Sequence, residues 1–143
     1  MKRAEIVACA RDWVGTPYRH QASLKGIGTD CLGLLRGVWR THFDDEPECI
    51  QPYTPDWAEI GCQDTLLEAA RRHLIETVIG SAQPGDVLLF RMALGCPAKH
   101  CAIMSGTDRI VHAYWGRAVV ETRLVPWWRC RIAAAFCFPE VED

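Results

Sequence analysis

No stretch of the 143-residue chain approaches the roughly 20 consecutive apolar residues of a membrane-spanning helix, so membrane insertion is not expected. An excess of charge is also missing. With 16 Lys and Arg against 18 Asp and Glu, and the basic residues scattered, the net charge of -2 provides no field to gather nucleic acid. The opening MKRAEIVACARDWVG has two early basic residues but no run of about seven apolar ones behind them, so no secretory signal is expected and synthesis in the cytoplasm is. There is no internal repeat and no low-complexity tract, and the composition is that of an ordinary globular chain, which predicts one domain over residues 1–143. At this length neither a disulfide nor a metal is needed for a stable core.

Eight cysteines are many, yet no CxxC pair occurs among them. Cys101 and Cys137 lie in apolar runs, where a free thiol behaves as a small hydrophobe. Without a secretory signal a disulfide framework is disfavoured. A zinc site from Cys96, His100 and Cys101 is disfavoured too, because adjacent residues of an extended segment point to opposite faces. No metal and no cofactor are expected.

Ile6, Ala10, Trp13 and Val14 recur at helical spacing over residues 3 to 14, and Gly15-Thr16-Pro17 stops that helix. After a polar, glycine-bearing stretch, Thr29 or Asp30 can cap a second helix from about Cys31 to Thr41, with Cys31, Leu34, Leu35 and Val38 on its core side. Gly33 and Gly37 each cost that helix about 1 kcal/mol relative to alanine, which implies that something approaches closely there. Residues 43 to 57 read as a long loop, and Asp64 as the cap of a helix through Leu66, Leu67, Ala70 and Leu74. Beyond Pro84 the period becomes extended, with strands over 86–91, 100–105, 109–114, 118–123 and 132–138. The fold class is therefore α+β, N-terminal helices packed on an antiparallel sheet of about five strands.

Within that sheet, a three-residue loop at Gly106, Thr107 and Asp108 would set Ala102 opposite His112 and His100 opposite Tyr114. The two histidines would then be diagonal neighbours about 7 to 8 Å apart on one face. Such a pair suits a base and its orienter, although a single strand histidine is more often a packed one. Cys31 is the third member. At a helix N-terminus the unpaired N–H groups and the dipole favour a thiolate, whereas a buried apolar thiol is the ordinary alternative. His42 and His73 are expected on solvated helical faces, and Trp127 and Trp128 as a lid or packing edge rather than a sugar platform.

GTPYRHQ, TDCLGLLRGVWR, QPGDVLLF and HCAIMSGTDRIVHAYWG resemble, in order and across nearly the whole chain, the successive motifs of the NlpC (p-sixty) family of papain-like cell-wall cysteine peptidases. QPYTPDWAE, AKH and AYWG further resemble the small branch found with phage tails and gene-transfer particles. The resemblance implies a papain-like fold in which Cys31 attacks a peptide carbonyl, His100 takes the thiol proton and His112 orients His100. It also implies that Tyr18 lines the oxyanion or substrate pocket and that Asp30 helps bind the substrate's free amino end. The implied substrate is the peptidoglycan stem peptide, and the implied partners are phage-like tail proteins in whose particle the chain would be incorporated. Lys99 and Arg117, near His100 and His112 in sequence, are candidates to meet the carboxylates of a stem peptide, although exposed charges are usually just solvated. Leu32, His20 and Gln21 depart from the family pattern at positions that would line the groove. An amidase or acyltransferase using the same nucleophile, or an inert tail-assembly module, are the competing readings, and the retention of Cys31, His100 and His112 disfavours the last.

Overall fold

The computed structural model describes residues 1–50, 52–53 and 64–143. Most of QPYTPDWAE, and Cys62, lie outside the described residues. The chain runs α1 (Arg3–Arg11), β1 (Ser23–Leu24), β2 (Gly28–Thr29), α2 (Cys31–Phe43), α3 (Thr65–His73), β3 (Ile75–Thr77), β4 (Val87–Arg91), β5 (Ala98–Gly106), β6 (Arg109–His112), β7 (Val120–Arg123), α4 (Pro126–Arg129) and β8 (Ile132–Cys137). No helix among the described residues is long and apolar enough to cross a membrane.

Strand alternation gives the large sheet two buried faces. On one, Leu89, Cys101, Ile103, Val111 and Phe136 pack with Ile6 and Ala10 of α1, Leu34 and Val38 of α2, and Leu66 and Leu67 of α3. On the other, Leu88, Phe90, Ala102, Met104 and Ile110 pack with Leu124 and with Trp128 of α4. The α+β class and the antiparallel sheet are those expected from the sequence.

The differences are local. Among the described residues the sheet has six strands, ordered β3-β8-β4-β5-β6-β7, rather than five. The additional strand, β3, pairs with β8 at the sheet edge and is mostly exposed, so it lacks the apolar alternation by which a strand is recognised. β1 and β2 form a two-stranded ribbon inside the stretch read as polar and glycine-bearing. The first helix stops at Arg11, before Trp13 and Val14. Asp64 precedes α3 without capping it by its side chain. Its carboxylate instead accepts from the Ala98 N–H at 3.0 Å and pairs with Arg91 at 3.1 Å, tying the start of α3 to the start of β5.

The β5–β6 hairpin reaches the expected register by another route. Gly106 stands opposite Arg109, so the turn proper is Thr107-Asp108, and Ser105 is an extra residue that shifts the ladder. A two-residue turn plus one bulged residue equals the three-residue loop read from sequence, so Ile103 still faces Val111.

The close approach signalled by the two glycines of α2 has two neighbours. A Cβ on Gly33 would lie 1.9 Å from the Ala22 carbonyl oxygen, and one on Gly37 would lie 2.0 Å from the Trp13 ring. Gly33→Ala should gain about 1 kcal/mol of helix propensity and lose more than that to overpacking against a main-chain atom. The expected net cost is about 2 kcal/mol in urea denaturation, whereas Gly80→Ala, which meets nothing within 4 Å, should be near neutral. Equal stability of the two variants would contradict this seating of α2.

Candidate active site

The site begins with the cap of α2. Asp30 is extended (φ -104, ψ -172), and its carboxylate accepts from the Gly33 N–H at 2.7 Å, so that α2 starts at Cys31. The same carboxylate accepts from the Gln21 N–H at 2.8 Å and from the Tyr53 hydroxyl. Asp30 is 3% exposed, and burial, then the neighbouring Cys31 charge, raises its pKa against these donors. The acid expected to meet a substrate amine is thus turned inward, onto three donors of its own chain.

Cys31 opens onto a cleft of about 470 Å³, which it lines together with Tyr18, His100, Tyr114, Trp115 and Trp127. This cleft lies where β5 begins and β6 ends. Phe90 pairs with His100 but Arg91 pairs with Ala98, leaving Lys99 as an extra residue immediately before the histidine. Bulges of this kind bend a strand and re-aim its side chains. Tyr18 is joined to Thr29 by an isolated bridge, and burial, reinforced by Cys31 and Asp30, pushes its hydroxyl up to about 12. It remains a neutral donor at any ordinary pH.

His100 and His112 meet as the hairpin register requires. His100 Nε2 lies 2.9 Å from His112 Nδ1, and His112 Nε2 lies 3.1 Å from the Thr122 hydroxyl on β7. Both histidines are buried, with Trp128 5.1 Å from the His100 ring and 5.2 Å from the His112 ring, centroid to centroid. Burial first, and the charge of His100 second, hold His112 down to about 3. A neutral His112 carries one proton. If His112 Nε2–H donates to Thr122, its Nδ1 accepts from His100 Nε2–H, and His100 Nδ1 is left for the Cys31 thiol. Only this direction of the chain serves both the neutral and the protonated form of His100.

The Cys31 thiol is shifted well below its ordinary value. The causes are a hydrogen bond from the Cys101 thiol, opposed by burial, and then the hydrogen bond and positive charge of His100. Cys101 is pushed correspondingly up, by its bond to Cys31 and by burial. Of this pair Cys31 is the thiol that ionises more readily, because it alone also has His100 and the positive end of α2. The Cys101 thiol donates to the Cys31 carbonyl at 3.2 Å.

The structure therefore brings Cys31, His100, His112 and Tyr18 to one place and sets Asp30 behind them. Sequence reading missed Thr122 and the proximity of Cys101. The signal for Cys101 was strand alternation, since the residue after His100 must face the opposite way, toward the helices. Neither Leu32 nor His20 lines the cleft. Leu32 lines a separate apolar pocket of about 70 Å³ between α2 and α3, and His20 Nε2 bonds the Tyr53 carbonyl at 2.6 Å. His42 and His73 are half-buried rather than solvated, and His73 lies 3.3 Å from Glu48. Trp128 packs behind the histidines, while Trp127 lines the cleft with the Arg131 guanidinium 3.7 Å from its ring centre. Lys99 also lines the cleft, and Arg117 is exposed.

Limiting iodoacetamide at pH 6.5 should modify Cys31 before the more exposed Cys49 and Cys130, as peptide mass spectrometry would show. Preference for the exposed thiols would contradict a thiolate at Cys31. His112 also makes stability depend on pH. Between its ordinary value of 6.5 and about 3 the unfolded chain takes up a proton that the folded site refuses, so stability falls as pH drops through that window. The loss is about 1.4 kcal/mol per pH unit from this group. The urea midpoint of His112→Asn should therefore change less between pH 6.5 and 4.5 than that of the parent.

No protein-family model and no curated protein matches the chain. Solved structures do. The NlpC/p60 domain of the peptidoglycan hydrolase SagA is 24% identical over 96% of this chain and 100% of its own, with a TM-score of 0.66. An NlpC/p60 family protein of Bacillus cereus is 18% identical, with a TM-score of 0.67 over 95% of this chain but 40% of its own. The peptidoglycan hydrolase RipB of Mycobacterium tuberculosis is 17% identical over 99% of this chain and 66% of its own, with a TM-score of 0.60. At these identities the likeness is one of backbone, and on that basis the chain has the papain-like α+β fold of NlpC/p60 domains.

Proposed function

We propose that the protein is a cysteine peptidase that hydrolyses peptidoglycan stem peptides through an acyl-enzyme on Cys31, acting as one domain carried by a phage-like tail. The observation that carries this reading is that Cys31 and His100 line one cleft, with His100 joined through His112 to Thr122. The hydrolase names of the structural neighbours support the substrate class. The sequence resemblance of AKH and AYWG supports the tail association.

The chemistry follows from the proton positions. The Cys31 thiolate attacks the peptide carbonyl carbon, and the negative charge that develops on oxygen is met by the Tyr18 hydroxyl and the positive end of α2. Protonated His100 then gives its Nδ1 proton to the leaving amine, and a thioester remains on Cys31. Neutral His100 next takes a proton from water, whose oxygen displaces the thioester and regenerates the thiolate. His112 and Thr122 act on His100 through its Nε2 and touch no substrate. Asp30 contributes by starting α2 at the nucleophile.

Defined stem peptides incubated with the protein, with the fragments weighed by mass spectrometry, test the reading and give the bond. Cys31→Ala should abolish cleavage, and turnover within tenfold of the parent would refute the assignment. His100→Ala should be far more damaging than His112→Ala, and His112→Asn or His112→Gln should recover part of the alanine loss. Thr122→Val should lose part of the rate and Thr122→Ser should keep it. If His112→Ala matches the parent, the orienting role fails.

A further inference from the structure

The second thiol of the site is not used by the peptidase chemistry. Cys101 is 1% exposed, sits on the helix-covered face of β5, and donates to the Cys31 carbonyl at 3.2 Å. The Cys101 thiol is also the leading influence that lowers the Cys31 pKa, which sets the two side chains in one electrostatic environment. The two differ in access. Cys31 lines the cleft, whereas Cys101 is buried and does not line it. A reactive thiolate open to solvent is the kind that peroxides oxidise first.

We infer that Cys31 and Cys101 form a reversible oxidation site, in which Cys101 captures the oxidised nucleophile as an intramolecular disulfide when the protein meets a hydroperoxide. This rests on the reading of Cys31 as the reactive thiol and adds a regulation of that site. In the first step the Cys31 thiolate attacks one peroxide oxygen and the O–O bond breaks. Sulfur loses two electrons to the peroxide, giving Cys31 sulfenic acid and an alcohol, or water from hydrogen peroxide. In the second step the Cys101 sulfur attacks the Cys31 sulfur, the S–O bond breaks, and the hydroxide leaves as water with the Cys101 proton.

The environment assists the second step. The charge that holds the Cys101 proton in place belongs to the Cys31 thiolate, and it is gone once that sulfur is a neutral sulfenic acid. The two residues are already in contact through the Cys31 carbonyl, and each is held in a regular element, α2 and β5. Without a neighbouring thiol, further peroxide would carry the sulfenic acid to sulfinic and sulfonic acids, which dithiothreitol does not reverse. The disulfide ends that sequence at a reducible stage.

The whole protein treated with one to five equivalents of hydrogen peroxide, then alkylated and digested without reductant, gives the test. The expected product links peptide 26–36 to peptide 100–109 and weighs two hydrogens less than their sum, and dithiothreitol should return both thiols. Cys101→Ala and Cys101→Ser should instead accumulate sulfinic Cys31, with at least fivefold less dithiothreitol-recoverable thiol than the parent. The serine variant guards against loss of folding on truncation. Sulfinic Cys31 without the link in the parent, a link from Cys31 to any other cysteine, or equal recovery in parent and variants would each overturn the inference. The link is read by mass and needs no turnover. If it forms while stem peptides stay intact, only the peptidase reading fails, and if peptides are cut and no link forms, only this inference fails.

Discussion

Everything at the site depends on how closely α2 lies against its surroundings. The helix is admitted because Gly33 and Gly37 have no side chains where the Ala22 carbonyl and the Trp13 ring stand, and it starts at Cys31 because Asp30 closes its first turn. Each of these choices is locally unfavourable or neutral. Two glycines weaken a helix, and a buried carboxylate must be supplied with donors. Together they fix the first residue of α2 against β5, where its carbonyl accepts from Cys101 and its side chain shares the cleft with His100.

The histidine pair obeys the same logic with different groups. Trp128, Tyr114 and Phe90 surround His100 with rings, and the low polarity of that wall keeps His112 neutral. A neutral imidazole can accept a hydrogen bond, which a protonated one cannot. The aromatic wall and the Thr122 hydroxyl thus act on one variable, the side of His112 that faces its partner.

Much of this was legible in the sequence because it is written in short-range pattern. Asp30 before Cys31 states a cap, and a separation of twelve positions from His100 to His112 states a hairpin whose register survives an error about its turn. The Gly33 and Gly37 spacing announced a close contact without saying with what. What was not legible belongs to distant pairings. Asp64 looked like a helix cap and instead serves the Ala98 N–H and Arg91, because a carboxylate goes to whichever donor the fold leaves unpaired. Strand β3 has no apolar alternation to betray it, since as an exposed edge strand it is recognised only by its ladder with β8. Cys101 was read as a small hydrophobe from its apolar neighbours, and its burial agrees with that, but its proximity to a thiolate is a property of α2 docking on the sheet.

The bond between Cys101 and the Cys31 carbonyl joins residues 70 apart in the chain. Closing a flexible loop of that length costs about 4 kcal/mol of chain entropy before any contact repays it. A chain lacking β5, or one in which β5 has not yet docked, therefore carries Cys31 as an ordinary thiol, with neither the base nor the second sulfur beside it. The enhanced reactivity at that position thus depends on β5 docking beside α2, and a nascent chain that has not yet reached β5 lacks it.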